Sequence, residues 1–328
     1  MTAEGDMDGA VDRTDLDRTD VDRDTGTDAA QPFPRCDILP ATPVAFTRDG
    51  DLDLDGTAEI FRFVAASGVD GAFVLGTTGE FPSLAADERL AIAQLAAEAF
   101  AGLNLIVHVG AASAWQAERL AAAAVRLPVS GLAAITPYFF PPSASALLEY
   151  YRRVAAAADG LPVYVYAFAE RTGVPVSPAL MAEIAALPGV VGAKVSGESL
   201  DTIAALRPAV PDNFMIYTGS DRDLGGATAA GAQGVVSGMA SVLPEPFLEL
   251  RAAVRSGDAD RVARAQADVD EVVGLIGGDP ARIKAALRVR GVRAGYPRMA
   301  LADPQDPADH ARIERLVATR AGVRRAGG

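Results

Sequence analysis

From Cys36 onward the chain alternates between two textures. Short apolar, β-rich runs end in Gly, Thr or Ser, and each is followed by an Ala/Leu-rich segment with apolar residues at helical spacing. The runs predict strands over Ile38–Phe46, Ala72–Leu75, Leu105–Val109, Leu132–Tyr138, Val163–Phe168, Val190–Val195, Met215–Thr218 and Val235–Ser237. Between them the spacing predicts helices near 52–67, 84–101, 114–126, 144–159, 178–187, 199–208 and 221–230. Ser113, Ser143, Ser177 and Ser220 read as caps on four of these. Near-continuous apolar strands alternating with helices predict a parallel sheet covered by helices. Eight such strands favour an α/β fold of the closed (β/α)8 kind, a TIM barrel, over an open doubly wound sheet, and no Gly-x-Gly-x-x-Gly follows the first strand. Further helical stretches near 246–256, 258–277, 280–290 and 307–320 supply the last barrel helix and a C-terminal helical appendage.

The first 35 residues depart from this texture. They hold ten Asp/Glu against four Arg and carry the near-repeat Asp12-Arg13-Thr14-Asp15-Leu16, Asp17-Arg18-Thr19-Asp20-Val21, Asp22-Arg23-Asp24. Too few apolar residues occur there to offset the entropy of ordering, so a disordered acidic extension is expected over 1–35. The barrel core is then expected over 36–245, with the last barrel helix and the C-terminal helices over 246–328.

Composition narrows the range of functions. Half of the 328 residues are hydrophobic and the formal net charge is −13. That charge argues against a nucleic-acid backbone or an anionic membrane as partner. The longest uncharged runs, Leu127–Leu148 and Leu224–Pro244, are interrupted by Pro or Gly and make poor membrane spans. One cysteine, Cys36, excludes an internal disulfide and suits a reducing, cytoplasmic setting. With His108 and His310 the only histidines, no Cys/His metal site is expected. His108, in the middle of its strand, reads as a satisfied core histidine rather than a general base.

The barrel fold assigns chemistry to the C-terminal ends of the strands. Lys194 lies there, inside the apolar run Val190-Val191-Gly192-Ala193-Lys194-Val195-Ser196, and only Lys284 accompanies it among 30 Lys and Arg residues. Arginine meets nearly every other need for positive charge, whereas a desolvated lysine can lose its proton and attack a carbonyl. Lys194 is therefore a candidate Schiff-base lysine, against the alternative of a snorkelling strand-end residue. Strand two ends in Gly76-Thr77-Thr78-Gly79-Glu80, a turn able to hold a carboxylate or simply to cap the next helix. Tyr164, Tyr166 and Phe168 share a face of strand five, and Tyr166 could shuttle a proton near Lys194. Arg171 follows, to clamp a carboxylate or to pair with Glu170. Asp221 reads as a cap on the next helix, and Tyr138 and Phe139 could wall a pocket or an interface.

The motifs GTTGE (76–80), TPYFFPPS (136–143), YAFAERTG (166–173) and GAKVS (192–196) arrive in one order on successive strands. In that order they resemble the dihydrodipicolinate synthase/N-acetylneuraminate lyase family of pyruvate-dependent class I aldolases. The similarity runs from Asp37 to Pro304, with echoes in TGSD (218–221) and AGAQGVVSG (230–238). The resemblance implies that Lys194 condenses with pyruvate or a 2-oxo acid, that Thr77 joins a proton relay, and that Tyr166 is the general acid/base. It implies substrate contacts at Thr78, Gly79, Arg171 and Val236, and a pocket or interface at Tyr138, Phe139 and Ser241. It further implies a homotetramer built from dimers and no cofactor or metal, because the iminium is itself the electron sink.

Three departures stand out. Where the family has Tyr-Tyr this chain has Tyr138-Phe139, which lacks the second relay hydroxyl. Tyr-Asn-x-Pro is replaced by Tyr166-Ala167-Phe168-Ala169, and Ala-Asn by Ala240-Ser241. These changes weigh against the biosynthetic dihydrodipicolinate reaction, while Arg171 in its Arg-Thr-Gly setting weighs for it. VHVG, TPYFFPPS and ADGLPVYVY resemble the neuraminate lyase side. The expected function is a class I aldolase or lyase acting on a 2-oxo acid, with pyruvate as product or donor. 4-Hydroxy-tetrahydrodipicolinate synthase is the alternative within the class, and a non-catalytic keto-acid-binding paralogue the alternative outside it.

Overall fold

The structure, a computed structural model, describes residues 35–304 and 306–321. The acidic segment of the expected N-terminal extension lies outside the described residues. Eight strands run β1 Asp37–Pro40, β2 Gly71–Val74, β3 Asn104–His108, β4 Gly131–Ile135, β5 Val163–Ala167, β6 Val190–Val195, β7 Met215–Thr218 and β8 Gly234–Ser237. Every ladder is parallel, in the order β1-β8-β7-β6-β5-β4-β3-β2. Between β1 and β2 the closure is a single bridge, Ala41 to Phe73, reinforced by Thr42 N–H donating to Phe73 O at 3.2 Å. The result is a nearly closed barrel.

The helices alternate with the strands: α1 Leu54–Ala65, α2 Ala86–Ala99, α3 Ala114–Ala124, α4 Ala144–Ala157, the single turn α5 Ala169–Thr172, α6 Pro178–Ala185, α7 Leu200–Leu206 and α8 Leu224–Ala229. Then come α9 Pro244–Ser256, α10 Ala259–Ile276, α11 Pro280–Val289 and α12 Pro307–Arg320. Helix α9 packs on β1 as the eighth barrel helix, while α10 packs on α9 and α11 on α12. The apolar residues form two layers. One lies between strands and helices; the other fills the barrel with Leu39, Phe73, Ile106, Ile135, Tyr166, Tyr217 and Val236 among others. Strands buried on both faces are what a near-continuous apolar run requires.

Some local expectations need correction. The first strand stops at Pro40 rather than reaching Phe46, and the fourth stops at Ile135 rather than Tyr138. Pro40 and Pro137 stand at these points, and proline has no N–H to continue a ladder. Ser113, Ser143 and Ser177 cap as expected, each accepting from an N–H three residues on. Ser220 and Asp221 do not. The α8 cap is Asp223, held at φ +55, whose carboxylate accepts from Gly226 N at 2.8 Å.

Candidate active site

Parallel register brings the chemistry to one end of the barrel. Tyr166 on β5 stands opposite Lys194 on β6, and Lys194 stands opposite Tyr217 on β7. Period two turns these side chains inward, so an amine enters a layer otherwise made of rings and aliphatics. Lys194 is 6% exposed, and its Nζ lies 4.1 Å from the Tyr166 ring centroid and 4.7 Å from that of Phe73. Among the described residues this Nζ makes no hydrogen bond or ion pair with a side chain or carbonyl, so ring faces are its immediate company. Phe73, which the sequence did not single out, completes the surround by meeting Tyr166 edge-on at 5.8 Å.

Tyr166, 1% exposed, shares a hydrogen bond of 2.9 Å with Thr77 Oγ1. Thr77 comes from the turn after β2, and that turn is unusual. Leu75 at φ +62 and Glu80 at φ +54 bracket it, both in the left-handed region that non-glycine residues rarely adopt. Each bracket is tied down. Leu75 O accepts from His108 Nδ1 at 2.8 Å, while His108 Nε2 accepts from Ile135 N at 3.1 Å. His108 is thus a satisfied core histidine, fully buried, and burial holds its pKa well below the usual imidazole value. On the other side, the Glu80 carboxylate accepts from Lys284 Nζ at 2.5 Å and from the N–H groups of Arg298 and Met299 at 2.8 and 2.7 Å.

Within the turn the Gly79 N–H donates to Gly76 O at 3.1 Å. Among the described residues the N–H groups of Thr77 and Thr78 have no such partner, so they, rather than that of Gly79, are the donors open to a bound carboxylate. Thr78 is buried, and its Oγ1 faces Gly238 closely enough that a Cβ there would lie 3.1 Å away. Val236 lies in the barrel interior on β8.

Four expected positions lie outside the cluster of Lys194, Tyr166 and Thr77. Arg171 is exposed on α5 with its guanidinium 5.9 Å from the Phe168 ring centroid, at the rim. Tyr138 packs against Phe81, centroids 5.8 Å apart. Phe139, at φ +79, turns its ring outward to 85% exposure, stacked edge-on with Phe140, and does not join Thr77 and Tyr166 in this chain. Ser241 is fully buried and donates to Gly238 O at 2.6 Å, so its hydroxyl is engaged within its own turn rather than lining a pocket or surface. Asp221 is the residue sequence reasoning misjudged. It is 4% exposed, its Oδ1 has no hydrogen-bond partner among the described residues, and burial pushes its carboxyl up to about 7 against the opposing pull of Ser237 and Lys194. No local signal marks it, since Asp after Gly-Ser before a helix suits a cap equally well.

Among the described residues no group of three or more His, Cys, Asp or Glu side chains is placed to hold a metal ion, and no helix is long and apolar enough to cross a membrane. A buried amine inside a parallel barrel suits Schiff-base chemistry, in which the iminium is itself the electron sink. The comparisons with known proteins carry this to a family. The sequence matches the Dihydrodipicolinate synthetase family over residues 35–317. It is 36% identical over 280 residues to an uncharacterized DapA-like lyase of Halobacterium salinarum, covering 84% of this chain and 91% of that one. It is 33% identical to the 4-hydroxy-tetrahydrodipicolinate synthase of Synechococcus elongatus, covering 83% and 92%. The structure superposes with a TM-score of 0.80 and 27% identity on YagE, a prophage protein of the dihydrodipicolinic acid synthase family from E. coli K12, in complex with pyruvate, covering 87% and 98%. The chain belongs to the dihydrodipicolinate synthetase family and is a pyruvate-dependent class I lyase.

Proposed function

We propose that Lys194 forms the Schiff base with a 2-oxo acid at its keto carbon C2 and that the chain cleaves, or makes, the C3–C4 bond one carbon further on. The observation that carries this reading is the unpaired, ring-enclosed Nζ of Lys194 beside the Tyr166–Thr77 hydrogen bond. The amine adds to the keto carbon and water leaves, giving an iminium that can accept the electron pair of the C3–C4 bond. In the cleavage direction Tyr166 takes the proton of the substrate hydroxyl as the aldehyde departs, and the electron pair of the broken bond enters an enamine. Protonation of that enamine carbon and hydrolysis then release pyruvate and restore the amine. Thr77 passes protons to and from Tyr166, and Thr78 with the N–H groups of the turn holds the carboxylate so that the keto carbon stays beside Nζ. Arg171, at the rim, is the candidate grip for an acid group on the second substrate.

A 2-oxo sugar acid, which would give a sugar aldehyde beside pyruvate, is the first reading for the substrate. Arg171 and the likeness to the Synechococcus enzyme keep the condensation of pyruvate with aspartate semialdehyde as the second. The exposed Phe139–Phe140 pair supports a homo-oligomer, expected as a tetramer of paired dimers, and the single thiol and acidic charge support a cytoplasmic setting.

Incubation with pyruvate and borohydride followed by mass spectrometry tests the core of this. A reduced pyruvyl adduct on Lys194 is expected, and none after Lys194→Ala. Absence of the adduct from the unaltered protein would leave a non-catalytic paralogue as the better reading. Where it forms, release of pyruvate from a panel of sugar acids against consumption of aspartate semialdehyde chooses between the two substrates.

A further inference from the structure

We infer that Lys284, through Glu80, is a positioning residue for the carboxylate end of the substrate, so that the C-terminal appendage sets the affinity of a site built on the barrel. The inference rests on the proposed carboxylate-holding role of the turn 76–80.

The pair is the most deeply buried ion pair among the described residues, with both side chains at 0% exposure. Burying two charges is costly, and a buried pair adds little net stability over apolar residues of the same volume. What such a pair can supply is one fixed geometry. Glu80 Oε1 takes Lys284 Nζ, and Oε2 takes two backbone N–H groups from the strap at Arg298 and Met299. Lys284 is fixed in turn by Tyr296 O at 2.8 Å and by the Phe46 ring, whose centroid lies 4.5 Å away. The strap is anchored by Arg298, which reaches Glu88 with two nitrogens and donates to Gly50 O and Ser83 O.

All of this converges on a residue whose backbone sits in the left-handed region at φ +54, two places after Thr78. Such a conformation persists only where its surroundings impose it. Without the clamp, Glu80 gains nothing from φ +54, and the turn is free to relax toward ordinary angles. Relaxation would rotate the N–H groups of Thr77 and Thr78 away from a common point. Lys194 and Tyr166, held by β5 and β6, would not move. The consequence falls first on binding: recognition of the carboxylate weakens, while Lys194 and Tyr166 keep their places and only the Thr77 end of their hydrogen bond is perturbed.

The test uses the full chain and two probes, pyruvate and methyl pyruvate, which offers the same ketone without the anionic carboxylate. The double variant Glu80→Gln/Lys284→Met removes both charges together. Borohydride trapping on Lys194 is followed against probe concentration. The half-saturating pyruvate concentration should rise on the order of tenfold, as displacement of a binding group does, with the trapping rate at saturation within about twofold of the unaltered protein. Methyl pyruvate should show no more than about a twofold change. Should the double variant fail to fold by circular dichroism, Arg298→Ala serves instead, because it leaves the buried Lys284–Glu80 pair in place and loosens the strap and its tie to Glu88. It should raise the pyruvate value about threefold and leave the ester unchanged.

Equal changes for both probes, or an unchanged pyruvate value in the folded variant, would overturn the inference while leaving the Schiff base standing. No adduct even in the unaltered protein would overturn the underlying reading and this inference with it.

Discussion

On folding, the carboxyl of Asp221 leaves water with no hydrogen-bond partner for its Oδ1 among the described residues, and burial raises its pKa from 3.8 to about 7. Between those values the folded chain keeps a proton that the unfolded chain has released. Stability therefore falls as pH climbs through this window, with no penalty below it and the whole penalty, of order a few kcal/mol, above it. Asp221→Asn should flatten denaturant-measured stability between pH 4 and 7 relative to the unaltered protein; an unchanged slope would assign the effect to another group. Tyr166→Phe is a change of a different kind. It deletes the partner of Thr77 and the proposed general acid/base together, so turnover should fall by roughly 10²- to 10⁴-fold, while pyruvate is still trapped on Lys194. Turnover within tenfold of the unaltered enzyme would remove Tyr166 from the mechanism. The inward placement of Lys194 and Tyr166 was legible in the sequence, because apolar strands of period two put them there, whereas Thr77, on the turn after β2, followed only from the order of the motifs. Asp221 was not legible in either way. Its sequence neighbours describe a cap, and only the tertiary fold, which brings Ser237 and Lys194 near it, encloses it.

Elements were read well where periodicity is long and less well where one residue decides. All eight strands lie where the apolar runs put them, but β1 and β4 end early at prolines. The α8 cap shows the limit. Ser220 and Asp223 are both good capping types, and the choice went to the residue whose carboxylate meets Gly226 N at 2.8 Å. Asp223→Ala should cost about 1 kcal/mol in thermal or denaturant unfolding, as loss of a cap does, whereas Ser220→Ala should stay within about 0.5 kcal/mol. A reversal of that ranking would restore the serine as the cap. The turn between β2 and α2 is an element in its own right. Its motif suggested what it binds, yet nothing in five residues hints that its geometry depends on a helix some two hundred residues later. Pairings of that separation leave no local period to read.

At the scale of the molecule, the barrel presents its least protein-like surface at Phe139 and Phe140, 85% and 78% exposed. Two adjacent exposed rings on one loop are a poor arrangement for an isolated chain and a good one for a subunit contact. Phe139→Ser with Phe140→Ser is expected to shift the sedimentation of the protein toward smaller species; identical sedimentation of the double variant and the unaltered chain would place the interface elsewhere. One consequence of the charge pattern belongs to the bench. The chain has two lysines, and both are enclosed, Lys194 at 6% exposure and Lys284 at 0%. Acylating reagents that seek side-chain amines would meet a folded surface furnished with guanidinium groups instead. Acetylation, biotinylation or ester-based cross-linking of the native protein should thus be almost silent on side chains, and labelling at Lys284 would report unfolding rather than surface chemistry.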